Sequence, residues 1–419
     1  MFTNFLRLSL AHSLKPFRFT KINPETEAAR PKEEFLNNEI GLYIHVPFCR
    51  TICDFCPYNK ELYTEEKMRR FIPSLLKELS SGKMPENYRI TSLYFGGGSP
   101  ALAIDYLPEI MNHVRSLYGN PASIGMELHP ENLTPEILDK LNAAGVNMVS
   151  VGSQSFEDNN LKRLGRTAAE IEHGFTLIKE RNFNVVDTDL IFAIPGQSED
   201  TLVKDFTKAA RLGATQISTY PFIRFSYTGQ NYPRPSRRLQ RRLLDVLADT
   251  AEDVGFDRTS VWTFAKKDSG QYSSVTRNNF IGFGPSATSL FRDRFCINSF
   301  SLDEYCRNID ASESPRVLEL KFSQRVRQMY WLFWSCYNLK ISKPDFANFF
   351  NRALDKEFAG VLKAAQILKL IAPHSDGYSL TRKGALWFHR VEQVYTHQYI
   401  DKTWRTCSKS PRPEGIELY

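Results

Sequence analysis

The stretch Tyr43-Ile-His-Val-Pro-Phe-Cys-Arg-Thr-Ile-Cys-Asp-Phe-Cys-Pro-Tyr58 joins an apolar run, Gly41 to Val46, to three cysteines, Cys49, Cys53 and Cys56. The run reads as a buried strand, so the cysteines fall just past a strand's carboxyl end. Thiolates at Cys-x3-Cys-x2-Cys spacing can hold three irons of one cubane and leave the fourth iron without a protein ligand. An iron with an open position can bind and activate a small molecule, whereas a fully ligated cluster is built to pass electrons. The plainer readings are three free thiols in a loop or part of a zinc site. Zinc sites pair Cys-x2-Cys units, and the chain has no second such pair. Cys296, Cys306, Cys336 and Cys407 are scattered without metal spacing and read as single buried thiols.

Outward from this stretch, short apolar runs alternate with helical patterns, as repeated β-α units around a parallel sheet require. The expected strands are Gly41 to Val46, Ser92 to Phe95, Gly125 to Leu128, Met148 to Gly152, Val185 to Phe192 and Gln216 to Tyr220. Between them, Glu65 to Leu79, Tyr106 to Leu117, Pro135 to Ala144, Ala168 to Arg181 and Thr201 to Leu212 place apolar residues at helical spacing. Six such units make an α/β fold, an open, partial (β/α)6 barrel whose chemistry gathers at the carboxyl ends of the strands. After Tyr220, Arg234, Arg237, Arg238, Arg241 and Arg242 read as the solvated start of a helix, Ser236 to Val254. From Ser314, expected helices at Gln324 to Cys336, Pro344 to Phe350 and Phe358 to Leu368 precede a hairpin over Ile371 to Thr381. That order suggests a small C-terminal winged-helix-like α+β domain. Its aromatics, Tyr330, Trp331, Phe333 and Trp334, read as core. The expected divisions are an N-terminal basic arm (1–39), a core barrel (40–230), a barrel extension and connection (231–313), the winged-helix-like domain (314–405) and a tail (406–419).

At 419 residues there is ample chain for a large domain and a smaller one. With 42% hydrophobic and 24% charged residues it is composed like a water-soluble globular protein. A net charge of +7 could attract an anionic substrate, but no basic stripe interleaved with stacking aromatics is present, so nucleic acid is not an expected partner. Residues 1–21 carry Arg7, Lys15, Arg18 and Lys21 with no acid among many apolar residues. This segment could lie on a membrane surface, act as an organellar targeting peptide, or pack as an arm on the main domain. Cysteine usage points to a reducing compartment, the cytoplasm, with a peripheral membrane position if the segment docks there.

Several polar residues stand at successive strand ends: Glu127, Gln154 and Asp189, with Arg166 on the helix after Gln154. One polar group per strand end suits a ligand with a ribose and an amino-acid end; ion pairing, such as Asp189 with Arg166, is the structural alternative. Gly96-Gly97-Gly98-Ser99-Pro100 offers backbone N–H groups without blocking side chains, a nest for a ligand's polar head.

The cysteine element, the Gly-Gly-Gly-Ser-Pro turn, Glu127-Leu-His-Pro-Glu131, Gly145 to Phe156, Leu161 to Arg166, Asp189 to Gly196 and Ile281 to Ala287 together resemble the radical S-adenosylmethionine enzymes of the oxygen-independent coproporphyrinogen oxidase-like family. The resemblance covers roughly residues 40 to 400. It implies a [4Fe–4S] cluster whose open iron binds S-adenosylmethionine, reductive cleavage to methionine and a 5′-deoxyadenosyl radical, and an electron donor such as flavodoxin or ferredoxin. It assigns Tyr43, Gly97, Glu127 and Thr288 to the cluster-bound molecule. Phe55, Gly98, Ser99, Gln154, Arg166, Asp189 and Ile223 are assigned to a second S-adenosylmethionine.

One position departs from that pattern. The coproporphyrinogen oxidases carry a fourth cysteine two residues beyond the third cluster ligand, and here that residue is Tyr58. Oxidative decarboxylation without that thiol is not the expected activity. The resemblance then favours the methyltransferase-like branch, which moves a methyl or methylene group from the second S-adenosylmethionine to an sp2 carbon of a conjugated substrate such as a quinone, a tetrapyrrole or another aromatic. Tyr58 could relay a proton or radical, or simply pack. The alternatives are a heme chaperone and an anaerobic tetrapyrrole enzyme, either a coproporphyrinogen dehydrogenase or a heme ring-opening enzyme.

Overall fold

In the computed structural model, the described residues are 17–23, 25, 27, 35–82, 87–166, 171–229, 231–270 and 278–418. Six strands run parallel in sequence order: Glu39–Val46, Arg89–Gly97, Ile124–Leu128, Met148–Gln154, Val185–Phe192 and Gln216–Pro221. Each extends an expected apolar run by a few residues or matches it. Helices on the outer face fill the crossovers. Glu65–Ser81 shows how one forms: Thr64 caps it by accepting from the Lys67 N–H, Glu65 and Glu66 favour its positive end, and Met68, Phe71, Ile72, Leu75 and Leu79 supply the buried stripe. The strands are largely buried, with apolar residues towards the helices and Ser150, Asp187, Asp189, Gln216 and Ser218 on the inner face.

The sheet is larger than the sequence suggests. Phe280–Phe283 adds a parallel strand beside Glu39–Val46, and Thr288–Leu290, Arg294–Asn298 and Arg316–Lys321 continue it antiparallel. Beyond Gln216–Pro221 the sheet goes on through Thr263–Lys266 and Phe256–Arg258, giving 14 strands with two open edges, so the barrel is partial. The basic N-terminal segment and the C-terminal tail need correction. Phe17–Lys21 is a strand paired on one side with Arg316–Lys321 and on the other with Gly415–Leu418. Phe19, Ile416 and Leu418 are buried there with Trp404 in a second core, which is why these ends are held. Arg7, Lys15 and the apolar residues around them lie outside the described residues. Among the described residues no helix is long and apolar enough to cross a membrane.

Arg237–Asp253 is the expected helix, capped by Ser236, with Arg237, Arg238, Arg241 and Arg242 exposed. The C-terminal region sets helices Gln324–Tyr337, Lys343–Phe350, Leu354–Glu357, Ala359–Ile367 and Arg382–Thr396 around a three-stranded sheet of Lys340–Ser342, Gly377–Leu380 and Ile371–His374. Trp331, Phe346 and Phe350 form its core. Of the other aromatics read as core, Phe333 and Trp334 pack against the main core and Tyr330 against the second core.

Candidate active site

A cavity of about 850 Å³ opens at the carboxyl ends of the parallel strands. All fifteen residues singled out from the sequence line it: Cys49, Cys53, Cys56, Tyr58, Tyr43, Phe55, Gly97, Gly98, Ser99, Glu127, Gln154, Arg166, Asp189, Ile223 and Thr288. Chain order and the barrel's polarity bring them together, since each lies in the carboxyl-terminal half of a parallel strand or after one.

Cys49 ends a two-residue strand, Phe48–Cys49, pinned to Glu61–Leu62, and the Cys56 N–H donates to the Cys53 carbonyl at 3.3 Å. The three thiols are half-buried. Burial, with the neighbouring Cys56, raises the Cys49 thiol to about 11, and burial also pushes Cys56 up. Thiols so placed need cations to become thiolates. The Arg166 Nε donates to the Cys53 Sγ at 3.3 Å, and the Lys60 ammonium donates to the Cys56 carbonyl at 2.8 Å. Among the described residues no three Cys, His, Asp or Glu side chains converge on a point where one metal ion would sit. A cubane binds each thiolate to a different iron and so holds them apart; three separated thiols with two nearby cations fit that group.

His45 fixes the strand end beside the cysteines. Its Nε2 donates to the Asn59 carbonyl at 2.9 Å, which leaves Nδ1 to accept from the Tyr43 hydroxyl at 2.9 Å. Burial lowers this imidazole to about 4, so it stays neutral. His129 caps the turn after Ile124–Leu128 by accepting from the Glu131 N–H.

The glycine turn works differently from the nest expected of it. The Gly97 N–H donates to Glu127 Oε2 at 3.1 Å, the Gly98 N–H to the Val46 carbonyl at 2.8 Å, and the Ser99 N–H to the Phe48 carbonyl at 2.6 Å. These amides are already engaged. The glycines serve close approach instead: a Cβ on Gly97, whose φ is +113°, would meet the His45 ring at 2.7 Å. A Cβ on Gly98 would collide with the Phe48 backbone. Glu127 also accepts from the Tyr94 hydroxyl at 3.1 Å, and burial raises its carboxyl to about 7.

Gln154 ends its strand at φ +65°, where the pairing with Val185–Phe192 shifts register. Such a bulge re-aims the side chain at a strand end. Arg166 lies past the helix Asp158–Arg163 rather than on it, its N–H bonded to the Leu161 carbonyl. Its guanidinium donates to the Gly152 carbonyl at 2.6 Å and lies 5.5 Å from the Phe55 ring centroid, so Arg166 contacts the cysteine loop in place of the alternative ion pair with Asp189.

Among the cavity residues that escaped the sequence reading are Ser150, Asp187, Gln216 and Ser218. Asp187 accepts from Ser218 at 2.8 Å and Gln216 at 3.1 Å, and one of its oxygens has no partner. Burial holds the Asp187 and Asp189 carboxyls above the usual range, and for Asp189 the Asp187 charge adds to this. The available signal was polar residues at alternate positions within apolar strands, the barrel-interior positions. Tyr58 and Tyr220 also line this cavity, and burial, with nearby carboxylates, raises both phenols. The cavity's far wall comes from the C-terminal region, where Tyr330, Trp334, Glu392, Tyr395, Tyr399 and Trp404 line it.

The family model for the Radical SAM superfamily matches residues 43–209. The heme chaperone HemW of Bacillus subtilis (strain 168) is 25% identical over 83% of this chain and 97% of its own length. The oxygen-independent coproporphyrinogen III oxidase of Helicobacter pylori (strain ATCC 700392 / 26695) is 24% identical over 83% of each chain. The solved structure of the coproporphyrinogen III oxidase HemN from Escherichia coli superposes with a TM-score of 0.75 and 20% identity, covering 92% of this chain and 97% of that one. That likeness shows a shared fold along nearly the whole chain. The superfamily implies a [4Fe–4S] cluster and S-adenosylmethionine at the strand ends where the three cysteines stand. Residues 43–209 are a Radical SAM domain, in a chain similar over most of its length to a heme chaperone and to oxygen-independent coproporphyrinogen III oxidases.

Proposed function

We propose that this protein is a radical S-adenosylmethionine enzyme acting on a large conjugated ring, with a tetrapyrrole, the substrate class of the relatives' names, as the first candidate. The observation that carries this reading is a cavity continuous from the three cysteines to an aromatic wall on the C-terminal region. The cluster, when bound by Cys49, Cys53 and Cys56, supplies the electron that cleaves S-adenosylmethionine to methionine and a 5′-deoxyadenosyl radical. Glu127 and Tyr43 would orient the amino-acid and ribose ends, with Glu127 in turn held by Gly97 and Tyr94. Arg166 would offset negative charge at Cys53, and the rings of Phe55, Tyr58 and Tyr220 would keep bulk water from the reacting atoms.

A second reading, methyl transfer from a second S-adenosylmethionine, is favoured by one feature: Tyr58 stands in the cavity where the oxidases carry a fourth cysteine. Gln154, Arg166 and Asp189 would then hold the second molecule. The chaperone reading draws support from HemW alone, because neither cavity histidine is poised as an iron ligand: His45 spends both ring nitrogens on neighbours, and His129 caps a turn.

Anaerobic reconstitution followed by mass analysis of nucleosides tests these readings. With tetrapyrroles and other conjugated rings added, 5′-deoxyadenosine should form, and equal S-adenosylhomocysteine beside it would select methyl transfer. Stoichiometric heme binding with no nucleoside product from any ring would reject the enzyme reading. A Tyr58→Phe enzyme with unchanged turnover would leave Tyr58 only a packing role. The reductant, a membrane-surface role for residues 1–21 and a cytoplasmic setting belong to the same proposal.

A further inference from the structure

Taking a charge out of water is costly, so a buried arginine is ordinarily kept beside an acid. Several half-buried arginines of this chain follow that rule. Arg316 meets Glu27 at 3.1 Å, Arg412 meets Glu304, and the Asp245 charge acts on Arg258. Arg327, on helix Gln324–Tyr337, breaks it: the residue is only 2% exposed, and among the described residues it makes no ion pair. Burial lowers the guanidinium to about 10, which leaves it charged at neutral pH, and the group that opposes this shift is the Tyr330 phenol rather than a carboxylate.

A guanidinium carries five N–H donors in a fixed fork. Here Nε donates to the Phe291 carbonyl at 3.3 Å and Nη2 to the Asn278 carbonyl. Nη1 has no partner among the described residues. Unlike the sealed polar atoms of this wall, such as Trp404 Nε1, it retains accessible surface. Arg327 lines the cavity together with Asn278, Tyr330 and Trp331, and its Cζ lies 5.5 Å from the Tyr330 ring centroid. The two carbonyls hold the fork in place, which spares an incoming oxygen the ordering of a long side chain.

Tying two carbonyls together does not by itself require a cation, since a neutral amide donates as well without burying a charge. The charge of Arg327 therefore has no counterpart in the fold. Glu392, which also acts on the Tyr330 phenol, is raised by burial to about 8 and keeps its proton at neutral pH, so it does not neutralise Arg327. A carboxylate entering from the cavity would do so. Arginine is the side chain best matched to that group, through charge-assisted hydrogen bonds.

We propose that Arg327 is a specificity-determining residue that pairs with a carboxylate arm of the substrate, so that the ring this cavity takes is an acidic one, anchored at its edge by the guanidinium while its conjugated face lies along Tyr330 and the neighbouring aromatics. The proposal rests on the reading that a conjugated ring enters this cavity.

Fluorescence titration of the anaerobically reconstituted full chain tests it, with deuteroporphyrin IX as the acidic probe and its dimethyl ester as the matched neutral one. The acid should bind about 10–100-fold more tightly than the ester, as a charge-assisted hydrogen bond in a buried site provides. Arg327→Met, which keeps the apolar stem, should bring that ratio to within about twofold of unity and leave the ester's affinity in place. Arg327→Gln, which keeps a donor for the two carbonyls, should do the same and decides the matter if the methionine variant does not fold. An acid-to-ester ratio near one in the unaltered chain, or a ratio that neither variant changes, would overturn the proposal. If the ratio is near one while the reduced enzyme still releases 5′-deoxyadenosine with either porphyrin, the role of Arg327 falls and the proposed function stands. If neither porphyrin binds or elicits that product, the tetrapyrrole reading falls with it.

Discussion

The two walls of the cavity are made on opposite principles. On the barrel side most polar groups are spoken for: the Gly97, Gly98 and Ser99 amides, both His45 ring nitrogens and the Arg166 fork all have close partners, and one Asp187 oxygen does not. On the C-terminal side the rings pack against one another while their N–H and O–H groups go unanswered. A wall whose polar groups are mutually satisfied is rigid before any ligand arrives, which is what holding a cluster and its first ligand demands.

Removing a thiol separates the walls most sharply. Cys56→Ala should abolish cluster retention and reduce 5′-deoxyadenosine to background, as iron analysis and product assay would read. Ring binding on the opposite wall should be retained, and its loss would mean that the walls are not independent. A smaller effect is expected at Arg166, which touches the cysteine loop without being a ligand. Arg166→Ala should lower 5′-deoxyadenosine formation about 10–100-fold while iron content holds.

The unanswered donors carry a stability signature. The Glu392 carboxyl is raised in the folded chain from 4.5 to about 8 by burial, so its contribution is fully present below the lower value and lost as pH rises through the upper one. Stability should therefore fall from about pH 4.5 to about pH 8 by roughly 1 kcal/mol per pH unit from this group and level off above, and denaturant unfolding of Glu392→Gln should show that much less decline. The smallest effect concerns close approach on the barrel side: Gly98→Ala should cost about 1–3 kcal/mol by forcing the turn from the Phe48 backbone, measurable as a lowered Tm.

How much could be foreseen differs between the same two walls. The parallel strands were legible because each is an apolar run followed by a helical period, and the barrel's polarity then placed Glu127, Gln154 and Asp189 together without knowledge of contacts. The use of the glycine amides was not legible, since Gly98 bonds to Val46 on another strand and spacing carries no such information. Asp187 and Ser218 were hidden in apolar strands although their alternation with Asp189 and Gln216 marks one face. Tyr330 and Trp334 read as core because an aromatic stripe looks the same whether it meets another helix or a cavity. The pairing of Phe17–Lys21 with Gly415–Leu418 joins opposite ends of the chain, and no local pattern announces it.

The most direct test of the whole account is product analysis of the anaerobically reconstituted, reduced chain with and without a conjugated ring. The account predicts that a ring accepted by the aromatic wall raises 5′-deoxyadenosine formation and is itself recovered with altered mass. Equal 5′-deoxyadenosine with and without every ring offered, and no ring changed, would contradict it.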